Sequence, residues 1–227
     1  KGLPGIPIEA ETVMLERDIR LARASGARYH AAMISCAESV ELVRRAKQDG
    51  VRVTCGVSIN NLTLNENDVG EYRTFCKVTP PLRHEDDRLA MVAALAEGVI
   101  DVVVSDHDPQ DVETKRQPFS ECADGALGIE TMLSAAQRLV QAGQIGLPQL
   151  LAALSARPAA LIGLSAGRLA IGAPADLVLF DPEAPFVVDK RKLKSRAKNS
   201  PFDEARLEGI VAATFVGGRV AYEAEPG

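Results

Sequence analysis

Apolar residues along the first two thirds of this chain alternate between two rhythms. In IEAETVMLERDIRLARASG (8–26), Ile8, Leu15, Ile19 and Ala22 form one helical stripe, widened by Met14 and Leu21, and Gly26 offers a stop. The short run RYHAAMIS (28–35) lacks that period and reads as a strand. AESVELVRRAKQDG (37–50) predicts a second amphipathic helix, closed by basic residues and Gly50, and VRVTCGVSI (51–59) a second strand. A polar loop (60–73) leads to FCKVTPPL (75–82), a third strand. RHEDDRLAMVAALAEG (83–98) is a helix with acids in its first turn; IDVVVSDHD (100–108) is the fourth strand, and GIETMLSAAQRLVQAG (128–143) a further helix.

Strands rich in Val and Ile without polar alternation predict a parallel sheet buried on both faces beneath helices, an α/β fold. Each apolar run ends in polar or special residues: Ser35-Cys36, Ser58-Ile59-Asn60-Asn61, Thr79-Pro80-Pro81 and Ser105-Asp106-His107-Asp108. In β/α folds the loops at the carboxyl ends of the strands converge on one opening, so chemistry is expected there.

After residue 145 the pattern changes. LPQLLAALSARPAALIGL (147–164) reads as two short helices broken at Pro158. AGRLAIGAPADLVLFDP (166–182) reads as short strands, and LEGIVAATFVGGRVAYE (207–223) as a hairpin turning at Gly217-Gly218. The predicted organisation is a first domain over 1–164 and a small β module over 165–227.

Composition narrows the function. The 227 residues are 46% hydrophobic, enough for a sizeable core, and 31 acidic against 26 basic side chains give a net charge of −5. That balance gives no reason to expect nucleic acid or an anionic membrane surface. The basic run DKRKLKSRAK (189–198) has no interleaved aromatics and reads as a solvated loop. No run approaches a membrane span and the opening KGLPGIP has no signal layout, so a cytoplasmic protein is expected. Cys36, Cys55, Cys76 and Cys122 form no CxxC and read as reduced, buried thiols.

Several segments together resemble one family. SDHDP after a Val-rich strand resembles the T-D-H-A-P signature of dihydroorotases and related cyclic amidohydrolases. MISCAESVELVRRAK, VTCGVSINNLTL, KVTPPLR, GALGIETML, GRLAIGAPADLVLFD and KSRAKNSPF are similar, in order, to further segments of that family, from about residue 5 to residue 222. The resemblance implies the second half of a (β/α)8 TIM-type amidohydrolase barrel plus the C-terminal part of a small β-sandwich. On this reading KGLPG resembles the middle of a loop.

The same resemblance implies a hydrolase that opens a cyclic amide reversibly, dihydroorotate to N-carbamoyl-aspartate, in pyrimidine biosynthesis, with a divalent metal, zinc, as cofactor. It places Asp106 as metal ligand and proton shuttle. It places substrate contacts at Thr79, Gln110, Ala123 and Gly125, with Asp108 adding a negative charge beside them. Its metal-binding histidines fall on Met33 and Asn61; a thioether is a poor zinc ligand and an amide oxygen a weak one, so these two are not expected to bind metal. The chain's three histidines do not replace them: His84 sits in a charged helix start, His30 lies at odd spacing from Met33 and reads as a core or helix-facing residue, and His107 as a structural hydrogen-bonder. For Asp106 itself, a helix cap or loop tie is the competing reading. The resemblance thus leaves a second function open: a metal-free, inactive homologue serving as structural partner of aspartate transcarbamoylase. Self-association into a homo-oligomer is also implied.

Overall fold

A computed structural model describes residues 2, 3 and 5–224, so Lys1 and Pro4 of the opening KGLPG and the last three residues lie outside the described part. Helix α1 (Glu9–Ser25) ends at Gly26 and buries Leu15, Ile19 and Ala22 of the stripe read from the pattern, while Met14 and Leu21, expected to widen it, are exposed. Strand β1 (Tyr29–Ala31), helix α2 (Ala37–Gln48) and strand β2 (Val53–Ser58) follow, then a short helix α3 (Ile59–Thr63), helix α4 (Glu85–Glu97) and strand β3 (Val102–Val104). β1 pairs with β2, and β2 with β3, both in parallel.

Alternation along the strands sets what each face does. Val53, Cys55, Val57 and Val103 are buried in the same core cluster as Val40 and Val43 of α2 and Met91 and Leu95 of α4. The opposite face is not covered to the same degree: Ala32 is exposed, and Thr54 and Val104 are half-buried. Burial on both faces, expected from the Val-rich composition, therefore holds in full on the helix side and in part on the other, where Gly56, Ser58 and Val102 are buried.

The segment 75–82 is not a strand. β3 takes the slot beside β2, while Thr74–Cys76 forms a 3₁₀ turn. Pro80 and Pro81 carry no N–H for a ladder, and the Lys77 carbonyl accepts from the Gly125 amide at 2.9 Å. The polar stretch 60–73, read as loop, contains α3 and a 3₁₀ turn at Glu66–Val69 closed by a capping box.

Helix α5 (Val112–Lys115) lies in the loop after β3, and α6 (Met132–Gln141) follows it. The break predicted at Pro158 does not occur. Helices α7 (Leu147–Leu151) and α8 (Arg157–Leu161) are joined through a π-helical turn at Ala152–Ala156, with Pro158 in the first turn of α8. A proline there forfeits no helical hydrogen bond of its own segment.

The rest of the chain forms an antiparallel sheet of β4 (Leu177–Val187), β5 (Arg206–Val216) and β6 (Arg219–Glu223). The β5–β6 turn carries Gly217 and Gly218, both with positive φ (56° and 76°), the backbone a two-residue hairpin needs. Of the short strands read in 166–182, only the start of β4 forms. The sheet docks on α6: the Ser134 hydroxyl donates to the Gly209 carbonyl at 2.6 Å, and Arg138 to that of Arg206 at 3.0 Å.

Candidate active site at the strand exits

β2 and β3 end side by side, and their next residues meet. Ser58 caps α3: its Oγ accepts from the Asn60 amide at 3.1 Å and donates to Asp106 Oδ2 at 3.0 Å. The Asn60 side-chain amide donates to the same oxygen at 3.3 Å. Ser58 and Asn60 are fully buried and Asp106 half-buried, so two rigid donors hold one carboxylate at the mouth of the sheet. Asp106 adopts φ 49°, the left-handed region that Asp and Asn tolerate better than other side-chain-bearing residues. Burial pushes its pKa above the usual carboxylate range; the Ser58 and Asn60 hydrogen bonds oppose that shift, and the Asp108 charge adds to it.

His107 is occupied structurally. Its Nδ1 accepts from the Gly128 and Ile129 amides at 3.3 and 3.4 Å, which leaves the ring proton on Nε2. His30 pairs in register with Thr54, and its Nδ1 lies 2.8 Å from Thr54 Oγ1. It therefore sits on the face opposite Val53 and Cys55, in a cavity also lined by Ala160 and Leu161 of α8, and burial lowers its pKa. His84 caps α4 from the surface, where its ring accepts from the Asp86 amide.

The proposed contact residues form a second wall. Asp108 Oδ1 accepts from the Gln110 side chain at 2.8 Å. Gly125 sits against Asp108 at φ 118°, where a Cβ would lie 2.4 Å from Asp108 Oδ2, so only glycine fits. The Thr79 hydroxyl is exposed and donates to Asp124 at 3.0 Å, and the Ala123 carbonyl accepts from Lys115 at 2.7 Å. Asn199, 2% exposed, ties this wall together: its amide donates to the Asp108 and Gly125 carbonyls, both at 3.1 Å, and its oxygen accepts from the Gln110 amide. Nothing in the composition marked Asn199, and Ser58 and Asn60 were visible only as polar residues ending an apolar strand.

Asn61 turns away from Asp106: its side chain donates to the Pro81 carbonyl at 2.8 Å. Met33 is half-buried just past the end of β1. The donors around Asp106 are thus a hydroxyl and an amide, and among the described residues no group of three or more His, Cys, Asp or Glu side chains could hold a metal ion. This chain's residues do not fit a zinc site of their own; they supply one carboxylate able to ligate a metal.

Comparison with known proteins finds relatives along nearly the whole chain. The chain is 44% identical over 223 residues to the dihydroorotase of Thermoanaerobacter sp. (strain X514), covering 98% of this chain and 52% of that protein. It is 42% identical over 225 residues to the dihydroorotase of Anaplasma phagocytophilum (strain HZ), covering 99% of this chain and 50% of that protein. The chain thus spans about half the length of the curated relatives it matches. Among solved structures, L-hydantoinase (dihydropyrimidinase) from Arthrobacter aurescens superimposes with a TM-score of 0.92 at 30% identity, over 96% of this chain and 49% of that one. Residues 4–221 match the amidohydrolase family as well, so the chain belongs to that family.

Proposed function

We propose that this chain is the second half of a (β/α)8 barrel with part of an accompanying β-sandwich, and that the protein containing it hydrolyses a cyclic amide reversibly, in the manner of a dihydroorotase. The observation that carries the reading is the Asp106 carboxylate at the exit of β3, aimed by Ser58 and Asn60 and raised in pKa by burial. A carboxylate poised in this way suits a proton shuttle. Water adds to the ring carbonyl carbon, and Asp106 takes one proton from that water. As the ring C–N bond breaks, the same proton passes to the departing nitrogen. The products are a carboxyl group and a terminal ureido NH2, and Asp106 is again ionised. Thr79, Gln110, Ala123 and Gly125 form the substrate wall in this scheme. Asp106 is this chain's single proposed metal ligand.

The test is ring opening of dihydroorotate by the intact protein, wild type against Asp106→Asn. Loss of about 10²- to 10⁴-fold in kcat is expected from removing a general base. Wild-type turnover in Asp106→Asn would refute the role. An intact protein without ring opening that co-purifies with aspartate transcarbamoylase would establish the structural-partner reading instead.

A further inference from the structure

Lys115 is 4% exposed, unusual for a lysine, and its ammonium donates to three main-chain carbonyls: Thr74 at 2.9 Å, Lys77 at 3.3 Å and Ala123 at 2.7 Å. These carbonyls come from two separate segments. Thr74 and Lys77 precede the Thr79-Pro80-Pro81 turn, and Ala123 lies in the loop after β3. The contact is reciprocal, because the Thr74 hydroxyl donates to the Lys115 carbonyl at 2.7 Å. Lys77 closes the same junction from the other side, donating to the carbonyls of Cys122 at 2.7 Å and Ser120 at 3.2 Å. Two main-chain bonds follow from this closure: the Gly125 amide donates to the Lys77 carbonyl at 2.9 Å, and the Ala123 amide to that of Thr114 at 3.3 Å. A desolvated ammonium satisfied by carbonyls from both segments holds them as a bound monovalent cation would; without it, three acceptors lose their shared donor.

We propose that Lys115 is a positioning residue, its ammonium serving as the internal cation around which residues 111–125 close on residues 74–79 and so set the wall formed by Thr79, Ala123 and Gly125. That this wall meets substrate rests on the function proposed above; that Lys115 orders it does not. Burial lowers the Lys115 pKa, consistent with an ammonium taken out of water.

Lys115→Ala removes the three methylenes beyond Cβ and the ammonium, leaving a slot shaped for n-propylammonium. Two readouts on the intact protein test the proposal: hydrogen exchange at the Ala123 and Gly125 amides, and the KM and kcat of ring opening. In Lys115→Ala, exchange at those two amides is expected to speed up at least about tenfold while β2 amides keep their protection. KM is expected to rise about tenfold or more with kcat within about threefold. Propylammonium, and not tetramethylammonium, restores both. Lys115→Met, which keeps the stem without the charge, shows the same losses and no rescue.

Wild-type exchange and KM in Lys115→Met would overturn the proposal. So would losses in Lys115→Ala that propylammonium does not reverse, or variants that fail to fold with and without it, since either places Lys115 in general stability. If the wild-type protein opens no ring, the functional reading fails, and exchange at Ala123 and Gly125 alone decides for or against Lys115.

Discussion

Asn199→Ala provides the sharpest energetic test of the wall beside Asp106. The substitution deletes three side-chain hydrogen bonds: two donated by the amide, to the Asp108 and Gly125 carbonyls at 3.1 Å each, and one accepted from the Gln110 amide at 3.3 Å. The bond to Gly125 is fully buried and the other two partly so. A net hydrogen bond contributes about 1 kcal/mol, and a buried group left unpaired costs about 1–3 kcal/mol. Water can reach Gln110 and Asp108, so the buried Gly125 carbonyl should dominate, and a loss of about 2–4 kcal/mol follows. Asn199→Asp sharpens the test: it keeps an acceptor for Gln110, loses both donors, and sets a negative charge against two carbonyls. It should therefore destabilise at least as much as Ala. Urea unfolding of the intact protein, with the slope unchanged, measures both variants. A loss below about 0.5 kcal/mol for Asn199→Ala, or an Asn199→Asp more stable than Asn199→Ala, would refute the reasoning.

Other outcomes follow from the same geometry. Gly125→Ala forces a side chain into φ 118° with its Cβ 2.4 Å from Asp108 Oδ2, so a loss of at least about 1–3 kcal/mol is expected in urea unfolding, with KM raised. Because burial raises the Asp106 pKa, the folded state binds a proton more readily there than the unfolded chain; the stability tied to that proton is full below the unfolded pKa and fades as pH rises through the folded one. Asp106→Asn should therefore gain stability over wild type near pH 7, measured by Tm against pH, even as activity falls. Ser58→Ala removes a hydrogen bond that favours the charged carboxylate, so the acidic limb of the pH–kcat profile should move to higher pH; an unmoved limb would refute that link. Burial pushes the Cys55 thiol up to about 12, so the native protein should take up no alkylating reagent at Cys55, as peptide mapping would show.

Much of the local architecture could be read from residue order. The apolar stripe of α1, the basic end of α2, the β-branched run of β3 and the Gly217-Gly218 turn each follow from period, capping or a positive-φ requirement between near neighbours. The strand assigned to 75–82 failed because strand membership depends on a partner: β3 occupies the place beside β2, and the Lys77 carbonyl is engaged by Gly125 and Lys115. The partner of His30 was hidden for a similar reason, since its contact with Thr54 depends on strand pairing and not on its distance from Met33.

The candidate site divides the same way. Asp106, at the end of an apolar run, could be marked as leaving the core before any contact was known. Which groups would meet it could not. Ser58 and Asn60 lie 48 and 46 residues away in the chain, and Asn199 reaches Asp108 across 91. Residue order by itself determined most of the helices, the turn at Gly217-Gly218 and the family, because periodicity, caps and turn chemistry act over a few positions. Only the tertiary structure decided that Asn60 rather than Asn61 faces the carboxylate, and that a buried lysine holds two loops together. A hydrogen bond needs its atoms within about 3 Å of each other, a condition set by packing between distant segments and by nothing local to either.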